Sequence, residues 1–227
     1  MRLFPMLRMT AAAAFLLAAG CADTSEIDTK PAAEVKPAAV EEKPAEPEAK
    51  PAAEAKPAAE TTAPAGAVWR LDGTASSIAF LGAKVTATHD GKFGTFSGAA
   101  DITDGTPVSA QFAVVMDSLE ADHPKLTKHL KSPDFFDVAG TPSASFKSTK
   151  IEAAEGDNAY TVTGNMTIVG KTNEISFPAT IVVEDSLVTA NAEFKINRKD
   201  WGISYPGKPD DLIKDEVALT TKFTFRR

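Results

Sequence analysis

Reactive residues are scarce in this 227-residue chain, which has one cysteine, three histidines, two tryptophans and two tyrosines. A single cysteine, Cys21, can close no internal disulfide, so the fold has to be held by packing. His89, His123 and His129 sit on different segments without the close spacing of a zinc ligand set, so no metal is expected. No Ser/His/Asp signature, phosphate-cradling loop or second thiol accompanies them, and no cofactor is implied. The net charge is −7 with lysines scattered among acids, which leaves no basic stripe and argues against nucleic acid as a partner. Long apolar runs are missing too. The N-terminal run Ala11–Ala19 falls well short of the roughly 20 residues that a membrane-spanning helix needs.

What is present is sharply partitioned. Arg2 and Arg8 precede the apolar run and small residues close it, the layout of a secretory signal over residues 1–20. Leu17-Ala18-Ala19-Gly20-Cys21 resembles the bacterial lipobox, with Ala18 where leucine is usual. The resemblance implies cleavage before Cys21, acylation of its thiol and a lipid anchor in the cell envelope. Ala22, rather than aspartate, then implies the outer membrane, facing the periplasm. Ordinary cleavage after Ala22, giving a soluble exported protein, is the alternative. Residues 21–66 read as a tether that starts at Cys21. From Ala22 to Gly66 the chain is rich in Ala, Pro, Glu and Lys, with repeated Lys-Pro-Ala-Ala, ten acids against five lysines and no aromatic residue. Such a composition buries little apolar area and proline interrupts helix, so a disordered, solvated linker is expected.

Residues 67–227 have the size of one domain and hold both tryptophans, both tyrosines and most of the phenylalanines. Period-two alternation runs through them. Ile175, Phe177, Ala179, Ile181 and Val183 share one face; so do Val188, Ala190, Ala192, Phe194 and Ile196, and likewise Val217, Leu219, Phe223 and Phe225. Ala110, Phe112, Val114 and Met116 repeat the pattern, as do Ile78 with Phe80, Ala144 with Phe146, and Tyr160 with Val162. Each stretch reads as a strand with one buried face. Turn signals at Asp90-Gly91, Asp104-Gly105, residues 155–158, Gly170-Lys171 and Glu184-Asp185 separate them. One helix is expected over Asp122–Lys131, capped by Asp122, with Pro124 in its first turn and Leu126 and Leu130 as its apolar stripe. The fold class is therefore all-β, an antiparallel barrel or sandwich of about eight strands with one short helix. Alanines among the large inward residues leave two interiors open: a ligand cavity, or a closely packed opposite wall.

Several stretches carry more than alternation. They are KLTKHLKSPDFFDVAGTPSASFKS over 125–148, GNMTIVGKT over 164–172, NRKDWGI over 197–203 and IKDEV over 213–217, with Trp69-Arg70-Leu71-Asp72 and FGTFSG over 93–98. In order and wording they resemble the YceI-like, polyisoprenoid-binding family of bacterial envelopes, with Met166 and Trp201 replacing the usual leucine and phenylalanine. The resemblance spans Val68 to Arg227. It implies a lipocalin-like barrel holding a long isoprenoid lipid, such as a polyprenyl phosphate or quinone, in an apolar interior without catalysis. The cavity lining would be Phe80, Phe112, Val114, Phe146, Val162, Ile175, Phe177, Ile181, Ala190, Ala192, Phe194, Ile196, Leu219 and Phe223. The mouth or head-group contacts would be Arg198, Phe135 and Phe136. The implied partners are the isoprenoid lipid and, through Cys21, the membrane; a homodimer is left open. The competing functions are an envelope stress or interaction protein with a packed barrel, and an enzyme acting on a polyprenyl lipid through acidic pairs such as Asp134 with Asp137 or Asp210 with Asp211.

The mouth residues have structural readings beside these. Arg198 continues the inward phase of Phe194 and Ile196, and a buried guanidinium needs an anion: a lipid head group, or Asp200 or Asp215. Phe135-Phe136 is either a flap over the mouth or a plug beneath the helix. His129, at the helix end, suits a bond to backbone or to a carboxylate.

Overall fold

The structure, a computed structural model, describes residues 25–38 and 68–227; the expected signal segment 1–20, Cys21 and most of the expected linker lie outside the described residues. In chain order the elements are α1 (Ser25–Asp28), β1 (Glu34–Pro37), β2 (Val68–Leu71), β3 (Ser77–Lys84), β4 (Ala87–Phe93), β5 (Phe96–Thr103), β6 (Thr106–Val115), β7 (Leu119–Ala121) and α2 (Pro124–Leu130). There follow β8 (Ser143–Ala153), β9 (Ala159–Ile168), β10 (Lys171–Val183), β11 (Leu187–Asn197), the two-residue strands β12 (Gly207–Lys208) and β13 (Asp211–Leu212), and β14 (Glu216–Arg226).

Eight strands close a ring in the order β10–β9–β8–β6–β5–β2–β14–β11 and back to β10, every pairing antiparallel. The wall widens at β14, which meets β2 only at Phe225 and Arg226 and gives Ala218 to Lys222 to β3. From β3 the sheet continues through β4 to β7. The alternation explains the core. Inward phenylalanines from five strands meet inside, with Phe177 and Phe194 stacked at 4.2 Å between centroids and Phe112 at 5.5 Å from Phe146 and 5.1 Å from Phe223. Full burial of a side chain of this kind contributes about 1.5–3 kcal/mol.

Three local expectations give way. Asp90-Gly91 is no turn; both residues lie inside β4, opposite Leu81 and Phe80, and the chain turns at Val85-Thr86 instead. Glycine is needed there for close approach, because a Cβ on Gly91 would lie 2.0 Å from the Phe80 ring. The β9–β10 hairpin turns on Val169-Gly170, at φ 48° and 70°, not on Gly170-Lys171. A β-branched residue there accepts a left-handed conformation that costs roughly 1–2 kcal/mol, and its side chain packs against the cluster of Leu119, Leu130, Phe135 and Ile203. Helix α2 is capped by His123, whose Nδ1 accepts from the Lys125 N–H at 3.4 Å, rather than by Asp122. The Asp122 carboxylate pairs instead with His89 Nδ1 at 3.0 Å.

The largest departure is N-terminal. Residues 25–38, expected in the solvated tether, dock along the barrel. Ile27 is fully buried against Leu81, Ala83 and Ala218, on the outer face of β3 and β14. The Lys195 N–H donates to Pro31 O at 2.9 Å, and the Ala33 N–H donates to Lys195 O at 2.8 Å. Strand β1 then pairs antiparallel with β10, from Glu34↔Ser176 to Pro37↔Asn173. Room for it exists because the β10–β11 ladder runs only from Val183↔Val188 to Thr180↔Asn191. Pro178 has no N–H with which to continue that ladder. Beyond it the two strands part, and β1 fills the split. The tether's composition concealed this because two isolated aliphatics, Ile27 and Val35, supply the larger apolar contacts and backbone bonds supply the rest.

Candidate functional site

Two abutting cavities occupy the barrel. The inner one, about 130 Å³, is bordered by Phe112, Val114, Phe146, Val162, Phe177, Ile181, Ala190, Ala192, Phe194, Leu219 and Phe223, and no polar atom presents surface to it. The outer one, about 350 Å³, is bordered by Phe80, Phe135, Phe136, Ile196, Arg198 and Leu219, with Leu126, His129 and Leu130 of α2 and with Tyr205. Lys84, His89, Lys208 and Asp211 add its polar groups. Phe93, Ile168 and Leu219 border both cavities, so these residues mark the seam between them. Together they reach the few-hundred-Å³ size of small-ligand sites. Ile175 borders neither; it is fully buried in the wall, in register with Val35 of β1.

Other lining residues went unread. Met166 and Ile168 also border the inner cavity and alternate with Val162 along β9, so the signal for them was present. Ile151 could not be found by alternation, because a bulge between Ser148 and Lys150 shifts its phase relative to Phe146. Ser148, turned inward by the same strand, is satisfied: its Oγ accepts from the Ala110 N–H at 2.9 Å.

Polar struts hold the outer cavity's end. Arg198, only 5 % exposed, lies in a 3-10 turn that follows β11. Its Nη1 donates to Ile203 O at 2.6 Å, its Nε to Lys214 O at 3.1 Å and its Nη2 to Asp215 Oδ1 at 3.2 Å. The carboxylate partner is therefore Asp215 and not Asp200, whose backbone carbonyl accepts instead from Asn173 Nδ2 at 3.0 Å. Burial pushes the guanidinium below its ordinary pKa while Asp215 opposes the shift; arginine remains charged. Trp201 Nε1 donates to Met166 O at 3.1 Å, tying the 197–203 stretch to the 164–172 hairpin. The stretches 164–172, 197–203 and 213–217 thus converge at one end of the barrel, while Trp69–Asp72 lies at the other end of β14.

Phe135 is buried with Leu119, Leu130 and Ile203, its ring 5.0 Å from His129 and 5.2 Å from Tyr205. It forms a plug beneath α2 that also borders the cavity. His129 Nε2 pairs with Asp134 at 3.0 Å. Asp211 pairs with Lys84 and accepts from Thr86 Oγ1 at 2.9 Å, which lowers its pKa, the Lys84 bond being the largest cause. Both carboxylates are thus engaged in local structure. No group of three metal-type side chains converges among the described residues.

Residues 69–225 match the YceI-like domain. The chain belongs to the YceI-like family. A protein of Pseudomonas putida strain F1 designated UPF0312 is 30% identical over 137 residues, covering 57% of this chain and 71% of that one. A UPF0312 protein of Vibrio parahaemolyticus is 36% identical over 94 residues, 40% of this chain and 49% of its own. Among solved structures, Burkholderia cenocepacia BcnA superposes with a TM-score of 0.60 at 24% identity, covering 68% of this chain and 98% of that one. A polyisoprenoid-binding domain from Saccharophagus degradans, implicated in plant cell wall breakdown, superposes with a TM-score of 0.58 at 15% identity, covering 70% and 97%. At these identities the two structures establish that the YceI-like chain shares their fold.

Proposed function

We propose that this YceI-like barrel binds an isoprenoid lipid, a polyprenyl phosphate or a quinone, with the hydrocarbon chain in its two abutting cavities and no turnover. One observation carries the reading: the inner cavity offers a ligand no polar surface and is walled by stacked phenylalanines. A hydrocarbon entering it gains about 0.8 kcal/mol per buried CH₂ and meets no group able to react with it. The outer cavity, with Lys84, His89 and Lys208 on its wall, suits a polar or anionic end. The polyisoprenoid-binding domain from Saccharophagus degradans, built on the same fold, supports the same ligand class. The lipobox-like residues before Cys21 support an exported protein anchored by its acylated cysteine at the outer membrane, facing the periplasm.

Organic extraction of the purified full-length protein, followed by mass spectrometry, is expected to yield a stoichiometric isoprenoid. Ala192→Trp, which fills the inner cavity, is expected to abolish its co-purification with circular dichroism unchanged. Retention of the lipid by that folded variant, or its absence from the parent protein, overturns the reading. Cys21→Ser is expected to release the protein from the membrane fraction; continued membrane association would remove the anchor while leaving the barrel reading intact.

A further inference from the structure

The cleft between β10 and β11 is a built site for an extended peptide, and the sequence that fills it occurs twice. The docked stretch, Lys30-Pro31-Ala32-Ala33-Glu34-Val35-Lys36-Pro37-Ala38, is followed in the sequence by Ala39. Twenty residues further on stands Lys50-Pro51-Ala52-Ala53-Glu54-Ala55-Lys56-Pro57-Ala58-Ala59, which differs only by alanine at the position of Val35. We propose that the β10–β11 cleft recognises this segment by its backbone and that the two copies compete for it.

What the cleft asks of its occupant is preserved in the second copy. Pro31 contributes only its carbonyl oxygen, to the Lys195 N–H, and Ala33 contributes its N–H to Lys195 O. Pro51 and Ala53 carry the same groups at the same spacing. The ladder to β10 is a backbone ladder, opened by Glu34 and ended by Pro37, positions at which Glu54 and Pro57 stand in the repeat. Lys30 pairs with Glu193 on the outer face of β11, and Lys50 is its counterpart.

The differences decide which copy resides. Val35 packs on the main core, and replacing it by alanine removes two methyl groups, worth roughly a tenfold change in occupancy. Ile27, fully buried, has Pro47 at the corresponding place, whereas Asp28, paired with Lys214 at 3.0 Å, has Glu48. The first copy is therefore the resident and the second a weaker substitute. Exchange moves the attachment point along the chain by twenty residues, a contour of about 65 Å at extended-chain spacing. None of this depends on what the barrel's interior binds.

The test uses the full chain with Cys21→Ser and one pair of introduced cysteines: Ser176→Cys with Glu34→Cys, or Ser176→Cys with Glu54→Cys. Intramolecular disulfide yield is measured in dilute solution under a mild oxidant, with Ser176→Cys plus Glu60→Cys as the unregistered control. The 34–176 bond is expected to dominate, with the 54–176 bond above the control. Exchanging the two side chains, Val35→Ala with Ala55→Val, is expected to raise the 54–176 yield at the expense of 34–176 without changing composition or length. A 54–176 yield at the control level in both backgrounds overturns the proposal, and so does a ranking indifferent to the exchange.

Discussion

The inner and outer cavities border the same three residues, Phe93, Ile168 and Leu219, yet opposite means build them. Strand periodicity makes the inner cavity: every second residue points inward and phenylalanine rings close the space by stacking on one another. Polar struts between loops make the outer one, with Arg198, Trp201 and Asn173 each fastening a backbone carbonyl from another segment, those of Lys214, Met166 and Asp200. The inner cavity therefore depends on shape and the outer on hydrogen bonds, and substitutions separate the two.

The largest effect is expected inside. Phe194, 1 % exposed and stacked on Phe177, should cost about 3–5 kcal/mol on replacement by alanine, measured as a lower urea midpoint with unchanged slope. A loss below about 1 kcal/mol would show that the aromatic stack is not what holds the inner wall. Arg198→Met strips donors from the carbonyls of Ile203 and Lys214 and leaves Asp215 without its buried partner. It should cost about 3 kcal/mol, with Trp201 fluorescence reporting the loosening at the outer end. An unaltered midpoint for Arg198→Met would mean that the strut is dispensable.

Gly91→Ala forces the Phe80 ring out of the outer wall at about 1–3 kcal/mol, and Phe80→Ala in the same chain should recover part of that loss. Strict additivity of the two changes would contradict the close packing. The smallest effect concerns pH, where β2 meets the end of β14. The Asp72 carboxyl, bonded by Thr74 and Arg226, is held down to about 2 from its ordinary 3.8. Its contribution is present above 3.8 and is lost as pH falls from there toward 2. Asp72→Asn should flatten this part of the acid-unfolding curve; an unchanged curve would mean that the bonds carry no stability.

The same division explains what the sequence could reveal. Residues such as Phe146, Phe177, Ala192 and Phe223 follow the two-residue period of a strand, so local pattern was enough to place them on inward faces. Phe80 and Gly91 illustrate the limit: a glycine after an aspartate signals a turn locally, while its actual reason, an aromatic ring from the neighbouring strand, is a tertiary contact. Tyr205, Lys84 and Lys208 reach the outer cavity from separate segments, where no period exists to read. Ile27 and Val35 were hidden differently, by a surrounding composition that signals solvation on average while the two decisive side chains are single residues.

The docked N-terminal segment also imposes an order in time. It leaves the ribosome before any strand of the barrel, yet the cleft it fills is made of β10 and β11, which are among the last strands synthesised. Contacts between residues separated by some 140 positions carry a large loop-closure cost and form late. The ring itself closes over some 155 positions, where β2 meets β14, but it buries far more apolar area than Ile27 and Val35 of the segment, so the gap in the wall is expected to fill last. In a chain with Cys21→Ser, a cysteine at Ser176 should remain reactive to a thiol probe after Trp201 fluorescence has reached its native value. Simultaneous protection of both would mean that the segment docks together with the ring.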